Sequence, residues 1–221
     1  ITYLEMKMKE IGEIEKVINE LQTGSTLQRI NEVFDNLDVL NMLNTKYVIY
    51  NPDGMPLLNN STFGRAWFVN EIITVANPDE EIAELNNYDL GTTAIVDNKF
   101  SQITSKINIS DDSSATIVQN SYAPNHLVYS SKSNSNQVAV FSEIYYDKGW
   151  NAYIDGQKVD YFRANYVLRA LEIPSGEHTI EFRFEPQVFK IGERISFASS
   201  LLLILLLLGG IYVEGKKYFI N

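Results

Sequence analysis

Aromatic rings crowd one stretch of the chain, where Tyr145, Tyr146, Trp150, Tyr153, Tyr161, Phe162 and Tyr166 all fall between residues 145 and 166. Flat apolar faces beside carboxylates and amides are what a sugar-binding surface uses, so Trp150, Tyr145, Tyr146 and Tyr153 are the candidate glycan contacts. The same rings suit the core of a small β-sandwich, and placement at a period of two along strands sends about half of them inside. Core packing is the stronger of these two readings. Trp150 and Tyr153 are an odd number of residues apart, so a regular strand turns them to opposite sides, one toward the core and one toward solvent. Asp155-Gly156 follows at once and is a two-residue hairpin signal. A type I′ turn needs positive φ at both positions, which Asp tolerates and Gly adopts without a side-chain clash. That predicts Ile154 and Gln157 as the pair flanking the turn.

Little else in the sequence offers reactive chemistry. The two histidines, His126 and His178, stand outside any metal-ligand spacing, so no metal site is expected. His178 follows "PSGE" and reads as a turn-stabilising hydrogen-bond partner. "SDDSS" (110–114) lacks the alternating acidic spacing of a calcium loop and reads as a solvated turn. Asp79, Glu80 and Glu81 follow Asn77-Pro78, the start of a helix, where the dipole favours negative charge; helix chemistry explains them without catalysis. Nucleophile-elbow, P-loop and dinucleotide-binding signatures are missing. The chain has no cysteine, which removes thiol nucleophiles, disulfides and zinc knuckles together. These residues point to no catalytic group and no cofactor.

The elements that must position the aromatic cluster follow from hydrophobic pattern. The chain has 221 residues, 45% of them hydrophobic, enough to bury a substantial core. Its net charge is -10 and its basic residues are scattered, so no stripe exists to neutralise phosphates, and nucleic acid is not an expected partner. Residues 1–44 read as two amphipathic helices. Ile1, Leu4, Met8, Ile11, Ile14, Ile18 and Leu21 form the first stripe, stopped by Gly24; Ser25 and Gln28 suggest a capping box before Leu27, Ile30, Phe34, Leu37 and Leu40. Residues 45–100 read as a small α+β unit, with strands at "KYVIY", "RAWFVNEIITV" and "TTAIVD". From 101 to 187, eight short runs from "SQITSKINI" to "HTIEFRFE" read as an antiparallel β-sandwich of jelly-roll or immunoglobulin-like type.

The far end is the strongest physical signal. Ile195 to Val213, "ISFASSLLLILLLLGGIYV", carries no charge and leucine all round the helical wheel, and at about 1.5 Å per residue it spans roughly 28 Å. The apolar run predicts a transmembrane helix over 195–213 with a short tail, 214–221, beyond it. Lys190 and Arg194 before the helix balance Lys216 and Lys217 after it, so charge bias does not orient the chain. With Ile1 first and no leader pattern, the chain reads as part of a longer protein or a processed product.

An ordered series of segments carries a resemblance. "DVLNMLNTKYVIYN", "GRAWFVNEI", "NPDEEIAELNNYDLGTTAIVD" and "VFSEIYYDKGWNAYIDGQKVDYFRANYVLRALEIPSGEHTIEFRFEPQVFKIGERIS", then a hydrophobic helix, resemble the C-terminal region of the bacterial YfhO family in its Bacteroidetes-like form. The resemblance spans about residues 37–213. It implies a polytopic parent similar to C-superfamily glycosyltransferases, which take sugar from a polyprenyl-phosphate carrier on the outer face of the cytoplasmic membrane. The family's catalytic acid is expected between early transmembrane helices, so no catalytic role passes to any residue here. The resemblance also implies that residues up to about 192 lie outside the cytoplasmic membrane and the tail inside. Partners would be membrane lipid, the upstream transmembrane region, and glycan or polyprenyl-phosphate sugar. A non-catalytic structural or interaction module and a membrane-anchored carbohydrate-binding protein are the alternatives.

Overall fold

A computed structural model of the chain describes residues 12–13, 15–20, 22–24, 27–49 and 51–219. Most of the first expected amphipathic helix, and Ser25 of the expected capping box, lie outside the described residues; 15–20 are helical. Helices α1 (Leu27–Phe34) and α2 (Asp38–Met42) follow, then the short pair β1 (Tyr47–Val48) and β2 (Leu57–Leu58). Val17, Ile30, Phe34, Leu37, Leu40 and Val48 close into a small apolar cluster of their own. Next come β3 (Ala66–Val69), β4 (Glu71–Val75), α3 (Pro78–Glu84), β5 (Thr93–Asp97) and α4 (Ser101–Thr104). β4 and β5 pair in parallel around α3, a compact βαβ unit. The Asn77 side chain accepts from Glu80 N–H while Glu80 accepts from Ala76 N–H, so α3 begins in a reciprocal cap with Pro78 at its first position.

The remaining strands are β6 (Thr116–Ala123), β7 (His126–Ser133), β8 (Gln137–Ile144), β9 (Trp150–Ile154), β10 (Gln157–Val159), β11 (Phe162–Ala164), β12 (Leu168–Ile173) and β13 (Gly176–Phe184). One sheet has the order β10-β9-β13-β7-β6 and the other β11-β12-β8-β3, with every pairing antiparallel. Leu127, Tyr129, Ala139, Phe141, Ala152, Leu171, Ile180 and Phe182 fill the space between them. The four-stranded sheet is covered on its other face as well, where Trp67, Val138, Val140, Phe162, Leu168 and Ala170 pack against Ile82, Leu85 and β5. Burial on both faces explains why β8 opens on an unbroken "VAVF", whereas β13, solvated on one face, alternates Ile180 and Phe182 inward with Glu181 and Arg183 outward. The fold is therefore α+β, with a sandwich at its centre.

Three strand expectations give way to tertiary context. "RAWFVNEIITV" is two strands in different sheets: β3 is the edge of the four-stranded sandwich sheet and β4 leaves for β5, with Asn70 between them donating to Thr92 O. "SQITSKINI" is not a strand. Asp97 caps a 3-10 turn over Asn98–Phe100 through Lys99 N–H, and the chain continues helically as α4. "QKVDYF" divides at Asp160-Tyr161, so that β10 extends one sheet and β11 crosses to the other.

After β13 the chain passes Glu185 and Pro186 directly into α5 (Gln187–Phe219). Its Gln187–Tyr212 portion is long and apolar enough to cross a membrane, and no part of its apolar window is buried against the rest of the fold. An isolated helix with leucine on every side has its natural solvent in lipid.

Candidate functional site

The end of the sandwich where β13 runs out carries the densest mix of rings and charge. Phe184 pairs with Trp150, β7 begins there at His126, β6 ends there at Ala123, and β8 ends there at Ile144. Gly149 holds φ +132° against this edge, and a Cβ on it would sit 2.7 Å from Phe184 Cε2, so glycine alone fits. Trp150, Ala152 and Ile154 face the core, and Tyr153 faces solvent.

Arg169 is the unexpected member. It shares a face of β12 with Leu171 and Ile173, so the period of the strand drives its guanidinium between the sheets, where it is 3% exposed. Its Nε donates to Ile144 O at 2.9 Å, and its guanidinium carbon lies 4.3 Å from the Trp150 ring centre and 5.1 Å from that of Phe182. Nη1 has no hydrogen-bond partner among the described residues. Burial pulls the Arg169 pKa down, opposed by the nearby Glu143 carboxylate. Glu143, half-buried on β8, has its own pKa raised by desolvation, against the pull of Arg169 and Arg65. Arg65 lies over the exposed Tyr122 ring at 5.5 Å. Tyr161 donates to the carbonyls of Tyr146 and Trp150, and burial pushes its hydroxyl up to about 12.

The four candidate glycan contacts do not share one surface. Trp150 is covered on one side by Arg169, with Phe184 5.4 Å from it at a tilt. Tyr145 is wedged between Phe100 at 5.6 Å and Tyr161 at 5.3 Å. Tyr146 is exposed beside them. Tyr153 stands on the outer face of the five-stranded sheet, its hydroxyl donating to Glu185 at 2.6 Å and its ring under Arg183 at 4.5 Å. Asn151 shares Glu185, and Glu181 joins Arg183 to His126. Sequence reasoning missed Arg169, Glu143, Arg65 and Tyr122. For Arg169 a signal existed: in "LRALEI" the arginine alternates in register with leucine and isoleucine on the apolar face.

The opposite end of the sandwich is turn chemistry. Asp155 and Gly156 hold φ 49° and 78°, with Gln157 opposite Ile154. Asp155 accepts from Thr179 N–H at 2.9 Å and pairs with His178 Nδ1 at 2.7 Å, while His178 Nε2 meets Ser175 O at 3.2 Å. A ring that bonds two oxygens is a double donor, the protonated form. The bond to Asp155 raises the His178 pKa, and the Thr179 N–H, then His178, lowers that of Asp155. His178 thus adds stability below its unfolded pKa near 6.5 and loses it as pH rises through the higher folded value. Asp155 adds stability above about 3.8 and loses it in acid, so the pair is strongest between about pH 4 and 6.5. His178→Gln is expected to flatten the decline in stability above about pH 6.5, by less than about 1 kcal/mol for so exposed a pair, as read from urea midpoints across pH. A cleft of about 350 Å³ beside it is lined by Thr116, Ser130, Lys132 and Glu177. At "SDDSS", Asp112 accepts from Ser114 and from the Asn134 N–H, closing a turn.

A buried ion cluster fastens the βαβ unit to the sandwich. Glu81, fully buried, accepts from Arg163 Nη2 and, at 2.9 Å, from Tyr166 N–H; Arg163 also reaches Asp97 at 3.4 Å. Asn165 and Tyr166 take φ 48° and 71°, and Asn165 exchanges two hydrogen bonds of 2.8 Å with the Ile95 backbone. Glu81 lies one helical turn from Leu85, on the buried face of α3, so it is more than a dipole-complementing residue. Among the described residues no three His, Asp or Glu side chains converge as metal ligands would.

No curated protein and no solved structure matches the chain. The family model for the bacterial membrane protein YfhO matches residues 81–196, from the buried glutamate of α3 through the sandwich and into α5. That span covers more than half of the chain and contains the ion cluster, the β13 end apart from Arg65, and the start of the apolar helix. The chain belongs to the YfhO family of bacterial membrane proteins.

Proposed function

We propose that this chain is the extracytoplasmic accessory domain and one membrane span of a polytopic glycosyltransferase in the cytoplasmic membrane. It holds a polyprenyl-phosphate-linked sugar, or the envelope glycan that accepts it, beside the bilayer, and the bond-making acid lies elsewhere in the parent. The observation that carries this reading is positional. A cluster of Arg65, Glu143, Tyr122 and Tyr146, backed by the buried Arg169, stands at the end of the sandwich where Phe184 is separated from α5 by two residues, the level at which a lipid-linked sugar phosphate rides. The exposed Arg65 supplies a cation for phosphate, and Glu143, Tyr122 and Tyr146 supply a carboxylate and phenols for sugar hydroxyls.

A second reading has its own support. Trp150 and Tyr153 each carry an arginine on one ring face, and Tyr145 is packed between two rings, so only Tyr146 of the four candidates is open. Rings already occupied suit a structural or interaction module that braces the membrane bundle. Calorimetric titration of the chain held in nanodiscs separates the two. The transferase reading expects saturable binding of a polyprenyl-phosphate sugar; no heat from lipid-linked or free saccharides supports the brace.

A further inference from the structure

Outside α5, nine large hydrophobic residues among those described are exposed, and four of them stand at the β13 end: Tyr122 (59%), Ile144 (58%), Tyr146 (49%) and Phe184 (39%). They come from three different strands and the loop after β8, so strand order rather than local sequence brings them together. The first two turns of α5 prolong the band with Val188, Phe189 and Ile191, each more than half exposed. An apolar rim of this kind is costly in water unless something covers it.

We infer that the bilayer crossed by α5 covers it, with the β13 end of the sandwich seated in the lipid headgroup layer. Continuity with the span is the reason. Glu185 and Pro186 are the only residues between Phe184 and α5, and eight residues of helix, about 12 Å, separate Gln187 from the charge-free run that begins at Ile195. The rim therefore cannot stand far from the membrane surface. Its composition matches that depth: two tyrosines with apolar bodies and polar tips are interfacial residues, and Arg65 beside Tyr122 offers a cation at the height of lipid phosphates. The other exposed apolar group, Tyr47, Ile49, Met55 and Leu58 around β1 and β2, has no such tether to the span. This seating holds whether or not the chain serves a transferase.

The chain has no cysteine, so single labelling sites can be introduced directly. Tyr122→Cys and Tyr146→Cys would carry a polarity-sensitive fluorophore, with Val118→Cys as the control, exposed and apolar but nearer the other end of β6. The full chain is reconstituted in phosphatidylcholine vesicles, with and without nitroxide-labelled phosphatidylcholine. Seating predicts blue-shifted emission and strong lipid quenching at 122 and 146, and aqueous emission without quenching at 118. Quenching at 122 and 146 no greater than at 118 overturns it. Emission that is blue-shifted but unquenched by lipid also overturns it, since a protein surface would then cover the rim. All three positions are exposed, and circular dichroism verifies that each labelled chain is folded.

Discussion

Arg163→Met is expected to cost about 3–5 kcal/mol of folding stability, because it leaves the Glu81 carboxylate buried without its cation. The loss would appear as a drop in melting temperature on the order of 10 °C for a domain of this size. Desolvation already raises the Glu81 pKa, and Arg163 is the chief influence holding it down. Without the guanidinium, Glu81 takes up a proton in the folded state at higher pH. A carboxyl whose folded pKa lies above its unfolded value stabilises the fold as pH falls, so the variant should recover part of its loss between neutral pH and about pH 5. Adding Glu81→Gln should restore much of the loss at pH 7, since the amide has no charge to strand. Urea midpoints for the wild type, single and double variants at pH 5 and 7 check all three statements. Equal losses at both pH values would show that the cluster acts through packing alone.

Trp150→Ala should cost about 3 kcal/mol, near the lower end for removing a large aromatic from a core, because the indole is only partly buried. Part of that cost belongs to Arg169. Its guanidinium lies on the indole face with Nη1 unpaired, so the alanine variant strips a buried cation of its main contact. Trp150→Phe keeps a ring in place and should lose well under half as much. Tyr153→Ala removes an outward ring and one hydrogen bond to Glu185, and should cost about 1 kcal/mol. Comparable losses for Trp150→Ala and Tyr153→Ala would mean that the indole is not part of the core.

What could be read from the sequence was what short-range chemistry decides. The Asp155-Gly156 hairpin, the Asn77-Pro78 helix start and the long apolar helix each depend on residues within a few positions, and each stands in the structure where its own chemistry puts it. The opposite facing of Trp150 and Tyr153 needs nothing more than a strand's period. What was not readable depends on partners far along the chain. "RAWFVNEIITV" looks continuous, yet Trp67 donates its indole N–H to Leu90 O and its strand pairs with β8, while Ile73, six residues later, pairs with Ile95. "SQITSKINI" alternates like a strand, but the Asp97 side chain caps the turn just before it and the chain enters a helical turn in its place. The β13 end was hidden for the same reason. Tyr122, Glu143, Trp150, Arg169 and Phe184 come from five strands in two sheets, and strand order together with the packing of one sheet on the other makes them neighbours.

Two substitutions at that end are mild for the fold: Tyr146 is exposed, and the Glu143 side chain makes no hydrogen bond among the described residues while its ionised form is disfavoured by burial. The affinity of the nanodisc-held chain for a polyprenyl-phosphate sugar, wild type against Glu143→Gln with Tyr146→Ser, is the most direct measurement of a ligand-holding role. Such a role predicts saturable binding by the wild type and binding weakened at least several-fold in a variant that melts at the same temperature. No saturable binding, or equal affinity in both proteins, would contradict it and leave the sandwich as a brace for the membrane bundle.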